Sequence, residues 1–162
     1  MYDKGIGISE NDELAVMWYT RAAEQGDAVA QNNLGTMYLN NKDISGNDKV
    51  AVKWYTLAAN QGLEMAQYNL GGMYKRGEGV QKDDRLAVKW YALSAVQGFA
   101  ISQYSLGLSY AKGIGISEND ELAVMWYIRA AEQENAEAQN NLGFMYANGE
   151  GVLTDNRRAY MW

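Results

Sequence analysis

The sequence of 162 residues contains no histidine, no cysteine and no proline. Without histidine and cysteine, the chain lacks the components of Ser-His and Cys-His nucleophile pairs, of Cys/His zinc sites and of disulfide bonds. Catalysis would have to rest on Asp, Glu, Lys or Tyr, and we expect no metal and no other cofactor. The missing proline favours helices, because proline interrupts the hydrogen bonds of a helix interior.

Positive charge is scarce as well. The chain carries 14 basic and 20 acidic residues, which gives a formal net charge of −6. Such a chain offers no broad cationic surface to a phosphate backbone, so we do not expect it to bind nucleic acid. Hydrophobic residues make up 48% and charged residues 21% of the sequence. This balance predicts a folded chain rather than a disordered one.

Aromatic residues and glycines recur with one fixed spacing. Trp-Tyr pairs are 36 residues apart, at positions 18/19, 54/55, 90/91 and 126/127. Leu-Gly pairs follow the same period, at positions 34/35, 70/71, 106/107 and 142/143. The segment 4–19 is identical to the segment 112–127, three periods later, which indicates that a block was duplicated. A repeat of this length is typical of helical arrays.

Each period contains two helical patterns, in which apolar and small residues recur at spacings of three, four and seven. A Gly-x-Gly turn separates the two patterns in most periods, and an Asn or Asp at the position of Asn11 or Asp12 is suited to cap the helix that follows. The turn at 41–47 lacks the Gly-x-Gly motif. The predicted helices are 11–25, 28–40, 47–61, 64–76, 83–97, 100–112, 119–133 and 136–148.

Two sets of glycines have predicted structural roles. The glycine of each Leu-Gly pair lies inside a helix, where it costs about 1 kcal/mol relative to alanine. We infer that it allows the rings of a facing Trp-Tyr helix to pack against bare backbone. Gly26, Gly62 and Gly98 stand at predicted helix ends, where a left-handed residue is favoured. Glu134 replaces this glycine in the fourth period, and we expect Asn135 to take its role.

These motifs resemble the Sel1-like repeat, a relative of the tetratricopeptide repeat, over essentially the whole chain. One repeat carries the signature at Ala28, Ala30, Gln31, Leu34, Gly35, Tyr38, Asp48, Ala51, Trp54, Tyr55, Ala58, Ala59, Gln61 and Gly62. The resemblance implies an all-α fold, a right-handed α-solenoid of antiparallel helix pairs. It implies a single array over residues 1–162 with about four repeats and partial repeats at both ends. We therefore expect the chain to be a piece of a longer bacterial protein.

The resemblance implies a non-enzymatic scaffold or adaptor that binds a peptide or protein on its concave face. In tetratricopeptide arrays the first helix of each pair lines that face, and positions that differ between repeats are not needed for packing. We predict that the partner binds at Met65, Tyr68, Lys75, Arg76, Ile101, Tyr104, Leu108, Lys112, Asn140 and Phe144. The apolar members suit the anchors of a peptide, and the basic members suit a carboxylate or an acidic residue.

Two alternatives remain open. Ser109 and Lys112 form Ser-x-x-Lys, the acylation motif of penicillin-recognising enzymes, although the companion Ser-Asp-Asn and Lys-Thr-Gly motifs are missing. The first alternative is therefore a penicillin-interacting or hydrolytic protein. The second is a purely architectural segment that self-associates through apolar ends.

The sequence leaves the compartment open. The resemblance is compatible with a periplasmic or secreted protein, and the absence of cysteine is equally compatible with the cytosol. Residues 90–111 carry no charge, but a predicted glycine turn at Gly98 and four serines interrupt them. We therefore expect no membrane span.

Overall fold

The computed structural model describes residues 10–40, 47–159 and 161, with side chains from Leu14 onward in the first helix. Helices dominate these ranges, which contain no strand. The helices are α1 (Glu10–Glu24), α2 (Ala28–Asn40), α3 (Asn47–Asn60), α4 (Glu64–Arg76), α5 (Asp84–Val96), α6 (Ala100–Lys112), α7 (Asp120–Ala131), α8 (Ala136–Asn148) and α9 (Asn156–Ala159). The first eight begin and end within two residues of their predicted bounds. The predicted all-α architecture is confirmed.

Short turns join the helices into antiparallel pairs. Three residues connect α1 to α2, α3 to α4, and α5 to α6, and four connect α7 to α8. A connection of this length brings the second helix back along the first. Within each pair the two helices are packed together, and α2 also packs on α3, as α6 does on α7. The result is a stack of helix pairs, the architecture of an α-solenoid.

The chain divides into two compact units. The N-terminal unit comprises residues 1–82 and contains α1 to α4, and the C-terminal unit comprises residues 83–162 and contains α5 to α9. The predicted turn at 41–46 and the terminal residues Met1, Tyr2 and Trp162 lie outside the described residues.

A polar side chain at one repeat position caps the N-terminus of α5 and of α7. The Asp83 carboxylate accepts hydrogen bonds from the backbone N–H groups of Arg85 and Leu86. The Asn119 amide oxygen accepts from Leu122 N–H in the same way. Both residues satisfy N–H groups that have no partner inside the helix. The predicted caps at the positions equivalent to Asn11 are thus confirmed.

The turn between α7 and α8 differs from the prediction. Glu134 itself adopts the left-handed conformation, with a φ of 63°. Asn135 does not take that role, because it has a φ of −70° and its side chain accepts a hydrogen bond from Ala138 N–H at the start of α8. The expectation for Asn135 was therefore wrong. The Asn135 side chain stabilises the start of α8 as a cap, so Glu134 occupies the strained left-handed position.

The glycine of the Leu-Gly pair lies directly against an aromatic ring. A Cβ atom on Gly35 would come within 2.9 Å of the Tyr55 ring, and one on Gly107 within 2.8 Å of the Tyr127 ring. These distances are shorter than a carbon–carbon contact allows. The predicted close approach is confirmed, and in both units the ring that fills it is the tyrosine of the Trp-Tyr pair in the following helix.

Within each unit, a glutamine side chain joins one helix pair to the next. The buried Gln103 side chain donates to the carbonyl oxygen of Ala95 at 3.2 Å and accepts a hydrogen bond from Gln133 at 2.8 Å. In the N-terminal unit, Gln31 makes the equivalent bonds with Ala23 and Gln61, at 3.0 and 2.8 Å. The amide of the Ala-x-Ala-Gln motif therefore satisfies a helix-end carbonyl and links consecutive pairs.

Candidate functional site

Helix α6 of the C-terminal unit carries four of the predicted binding residues, Ile101, Tyr104, Leu108 and Lys112. Their spacing of three and four residues places them on one side of the helix. Ile101 is 43% exposed, and Lys112 is exposed in the last turn. Tyr104 and Leu108 are half-buried and pack against the core cluster around Tyr127 and Leu142. The expectation that these positions take no part in packing is wrong for Tyr104 and Leu108.

The ring of Tyr127 lies where α6 and α8 approach each other. Its centroid is 5.8 Å from that of Tyr104, with an angle of 33° between the ring planes. The Tyr127 hydroxyl also hydrogen-bonds the side chain of Asn141 on α8. Burial raises the pKa of this hydroxyl to about 12, the bond to Asn141 opposes that rise, and Tyr104 adds to it. Tyr127 therefore stays neutral at physiological pH and connects the two helices that carry predicted binding residues.

Helix α8 contributes the other two predicted residues of this unit. Phe144 is 61% exposed, the largest exposed fraction among the predicted apolar residues. Phe144 and Asn140 line a shallow pocket of about 540 Å³ between α8 and Ala159 of α9, together with the amide of Asn141. An exposed phenyl ring can hold an apolar side chain of a partner, while neighbouring amide groups hydrogen-bond the partner's backbone.

In the N-terminal unit, α4 carries the predicted residues Met65, Tyr68, Lys75 and Arg76. Met65 is exposed and its sulfur accepts a weak hydrogen bond from the Asn32 amide of α2. Tyr68 is half-buried and has an interaction partner of its own. Lys75 and Arg76 are exposed in the last turn of the helix.

We use the name groove face for the surface on which the predicted residues lie. It belongs to the helices that carry the Leu-Gly pairs, α2 and α4 in one unit and α6 and α8 in the other. The groove face of the N-terminal unit is polar. Asn69 of α4 donates to the Asn32 side chain of α2 at 2.9 Å. The equivalent positions in the C-terminal unit, 72 residues later, hold Tyr104 and Asn141, so one of the two amides is replaced by an aromatic ring.

Sequence reasoning missed one pair of hydroxyl groups on the polar groove face. The oxygens of Thr36 and Tyr55 are 3.0 Å apart. Thr36 donates its proton to the Asn32 carbonyl at 3.1 Å, so Tyr55 is the donor in the Thr36–Tyr55 bond. A tyrosine recurs at the Tyr55 position in successive repeats, and the repeat pattern accounts for it by packing alone. The sequence feature that could have indicated this pair is Thr36, because only one repeat has a threonine at that position.

The Ser-x-x-Lys motif does not form an exposed nucleophile. Ser109 is buried, and its hydroxyl donates to the carbonyl oxygen of Ser105 at 2.9 Å. Such a bond within one helix occupies the proton that a general base would have to remove. In the part of the chain that the structure describes, no cluster of acidic side chains is arranged to hold a metal ion. Among the described helices, none has both the length and the hydropathy needed to cross a bilayer.

The Sel1 repeat pattern matches five consecutive segments that together cover the chain, residues 1–27, 28–63, 64–99, 100–135 and 136–162. The chain belongs to the Sel1 repeat family. Sel1 repeats form helical solenoids that are generally non-catalytic and typically act as protein-interaction scaffolds. Curated proteins give no match to the chain.

Solved structures agree with this assignment. The protective antigen c5321 of uropathogenic Escherichia coli, which has the same repeat fold, is 36% identical over 93% of this chain, with a TM-score of 0.89. A Sel1 repeat protein from Oxalobacter formigenes is 37% identical over 93% of this chain, with a TM-score of 0.84. The Sel1 repeat chain described here spans 32% and 44% of the lengths of those two proteins. Helicobacter pylori cysteine-rich protein B shares the fold, with a TM-score of 0.65 and 20% identity. The match covers 82% of this chain and 95% of the Helicobacter protein.

Proposed function

We propose that the groove face binds a peptide or an extended segment of a partner protein. The observation that carries the proposal is the exposure of large apolar side chains at positions where the repeat pattern does not require them. Phe144 replaces Thr36, Gly72 and Leu108 of the other repeats, yet it is 61% exposed. An exposed phenylalanine surrounded by amide groups is a surface that an apolar anchor of a partner would cover.

The apolar residues of the C-terminal unit can supply useful affinity. Burying one large apolar side chain contributes about 1.5–3 kcal/mol before the costs of association. Ile101 and Phe144 are exposed, whereas Tyr104 and Leu108 offer only their outer surfaces because their inner sides already contact the core. A few such anchors are sufficient for an affinity on the order of micromolar. The amides of Asn140 and Asn141 can hydrogen-bond the partner's backbone.

The experiment that tests this proposal uses peptides selected from a displayed random library against the whole chain. Binding is then measured by fluorescence anisotropy for the wild type and for the variants Phe144→Ser and Ile101→Ser. Both substitutions should weaken binding about tenfold or more, since each removes an apolar anchor. Both should leave the melting temperature nearly unchanged, because the two side chains are exposed. Tyr104→Ser is unsuitable here, as it also removes the contact with Tyr127.

The matched control is Val96→Ser. Val96 is 67% exposed at the end of α5. Helix α5 carries a Trp-Tyr pair and is not one of the groove-face helices, so Val96 does not lie on the groove face. The proposal requires that this variant bind the selected peptides like the wild type. Peptides that bind Phe144→Ser normally and lose affinity for Val96→Ser would place the site on the helices that carry the Trp-Tyr pairs. That result would refute the proposal.

A second candidate function is self-association. Leu14, Met17 and Trp18 form an exposed apolar face on α1. The identical sequence in α7 is covered, and Trp126, the equivalent of Trp18, packs against Val88, Ala95 and Leu106. This sequence therefore has a face suited to burial against another helix pair, and a second copy of the chain is the occupant we propose.

A further inference from the structure

One glycine of the N-terminal unit has no packing role of the kind that the Leu-Gly glycines have. Gly72 follows Gly71 inside α4, at the position that holds Thr36, Leu108 and Phe144 in the other repeats. A Cβ atom at Gly72 would meet only the guanidinium of Arg76, with Nη1 at 2.9 Å and the next atoms at 3.6 Å. A glycine inside a helix is unfavourable. Its observed effect here is to make space for that guanidinium.

The Arg76 side chain is held in this position by two neighbours, Glu78 and Met73. Its Nε donates to the Glu78 carboxylate at 2.7 Å, and its Nη2 is 3.7 Å from the Met73 sulfur. These contacts turn the guanidinium back over the preceding turn of α4. Nη1 lies over Gly72, on the groove face, while Glu78 engages the opposite side of the fork. An arginine that is fixed in this way loses little further conformational entropy when it binds an anion.

The Thr36–Tyr55 hydroxyl pair belongs to the same unit as Arg76. Tyr55 is buried, with 1% of its surface exposed. Burial raises the pKa of Tyr55, and both the hydrogen bond to Thr36 and the positive charge of Arg76 oppose that rise. The bonds of Thr36 and Tyr55 to each other and to the Asn32 carbonyl keep both hydroxyls in fixed positions. The Tyr55 hydroxyl is therefore engaged within the fold, and the exposed charge of this region is that of Arg76.

We propose that Arg76, lying over Gly72 and held by Glu78, forms a carboxylate-binding subsite on the groove face of the N-terminal unit. The subsite takes a carboxylate of the bound peptide, either its C-terminus or an Asp or Glu side chain. Arg76 binds it through charge-assisted hydrogen bonds from Nη1. In a chain with a net charge of −6, such a local cation selects for acidic groups that the rest of the surface repels. This inference rests on the proposed peptide-binding function and names the chemistry that one part of the groove recognises.

The subsite can be probed without a peptide, using sodium acetate in an NMR titration of the ¹⁵N-labelled chain at constant ionic strength. Acetate should shift the Arg76 Nε–H signal and the backbone amide signals of Gly72 and Thr36 in a saturable manner. Arg76→Gln should abolish these shifts. Arg85→Gln, which removes an exposed arginine of α5, should leave them intact. Signals that respond no more to acetate than to chloride would overturn the inference, whatever a peptide selection yields.

Gly72→Ala separates a binding role from a structural one. The added methyl group displaces only the guanidinium at the far end of the Arg76 side chain and replaces a helical glycine by the best helix former. The melting temperature should rise, while the acetate affinity should fall about tenfold, as expected for the loss of one charge-assisted hydrogen bond. If Gly72→Ala lowers stability or binds acetate as tightly as the wild type, the glycine does not serve the subsite.

Selected peptides then identify the source of the carboxylate. Each peptide is measured as a free acid and as a C-terminal amide, and with each Glu or Asp replaced by Gln or Asn. The subsite is supported if one of these changes weakens binding to the wild type but not to Arg76→Gln. The change that does so identifies the carboxylate that is bound. Peptides whose affinity depends on neither charge nor Arg76 contradict it. If acetate binds but the library yields no peptide, the proposed peptide-binding function fails while the anion subsite stands.

Discussion

Glu134 shows how a single position can carry backbone strain. The three other repeats have Gly26, Gly62 and Gly98 at this turn, with φ between 94° and 98°. A side chain with a Cβ atom is disfavoured in the left-handed region by about 1 kcal/mol or more. The fold tolerates Glu134 because the rest of the turn is unchanged, with Asn135 N–H donating to the Ala130 carbonyl at 3.1 Å.

Glu134→Gly should therefore stabilise the chain by about 1 kcal/mol, since it relieves this strain. Urea unfolding followed by circular dichroism measures the change in the free energy of unfolding. The matched control is Gly98→Ala, which introduces the same strain at the equivalent turn and should destabilise by a similar amount. An unchanged or reduced stability of Glu134→Gly would mean that the glutamate side chain makes a compensating contact.

Tyr127 gives the stability a specific pH dependence. Its pKa is about 12 in the folded chain and about 10 in an unfolded one. Because the folded state holds the proton more tightly, this contribution is fully present below pH 10 and is lost as the pH rises through 12. The loss amounts to about 3 kcal/mol, because each of the two pKa units corresponds to about 1.4 kcal/mol.

Urea unfolding at pH 9, 10 and 11 checks this prediction. Other tyrosines and the lysines also titrate in this range, so the informative comparison is with Tyr127→Phe, which keeps the ring and removes the hydroxyl. The variant should lose less stability than the wild type between pH 10 and pH 11. Equal losses in both proteins would show that Tyr127 does not hold its proton more tightly when folded.

At the scale of the elements, a tyrosine ring on a helical glycine joins the two helix pairs within each unit. Gly107 of α6 lies under the Tyr127 ring of α7, and Gly35 of α2 lies under the Tyr55 ring of α3. The contact brings the helix backbones close together, because no side chain separates them from the ring. The polar hydroxyl at the far end of each ring then reaches the groove face, as the Thr36–Tyr55 bond shows.

Gly107→Ala should destabilise the chain by about 1–3 kcal/mol. Alanine favours the helix, but its Cβ would lie 2.8 Å from the Tyr127 ring and 3.2 Å from the Ala123 carbonyl, and overpacking of a tight contact has a cost of this size. Thermal unfolding of Gly107→Ala and Gly72→Ala provides the comparison, since both change a buried helical glycine. The two variants should shift the melting temperature in opposite directions. A stabilising Gly107→Ala would contradict the close-approach interpretation.

At the scale of the whole molecule, two units with the same repeat present different surfaces. The groove face of the N-terminal unit is lined by hydrogen-bonding groups and Arg76, and that of the C-terminal unit by apolar and aromatic groups. The difference lies entirely in positions that the repeat leaves variable, such as Thr36 against Leu108 and Gly72 against Phe144. The conserved packing positions form the same core in both units, which allows the groove positions to change independently.

The exposed face of α1 leads to a prediction about association. The chain should form dimers or larger species at high concentration, because Leu14, Met17 and Trp18 are exposed side by side. Light scattering coupled to size-exclusion chromatography measures the mass as a function of concentration. Trp18→Ser should shift the equilibrium toward the monomer, and Val96→Ser should not. A strict monomer at high concentration would refute self-association through this face.

The helices, their pairing and the family could all be predicted from the amino-acid sequence. The 36-residue period locates each helix through local rules: an apolar stripe, an Asn or Asp cap at its start and a glycine at its end. These rules act over a few residues, so Asp83 and Asn119 cap their helices as predicted. Even the close contacts of Gly35 and Gly107 could be inferred, because a glycine placed regularly inside a helix requires a packing reason.

The exposure of these residues and their contacts depend on the tertiary structure. The segments 10–19 and 118–127 have identical sequences, yet Trp18 is 59% exposed and Trp126 is 7% exposed. Burial depends on neighbours that are distant in sequence, and α7 has a preceding helix pair to pack against. In the same way, the positions of Tyr104 on Tyr127 and of Arg76 over Gly72 follow from side chains brought together by folding. A local pattern carries no information about such contacts.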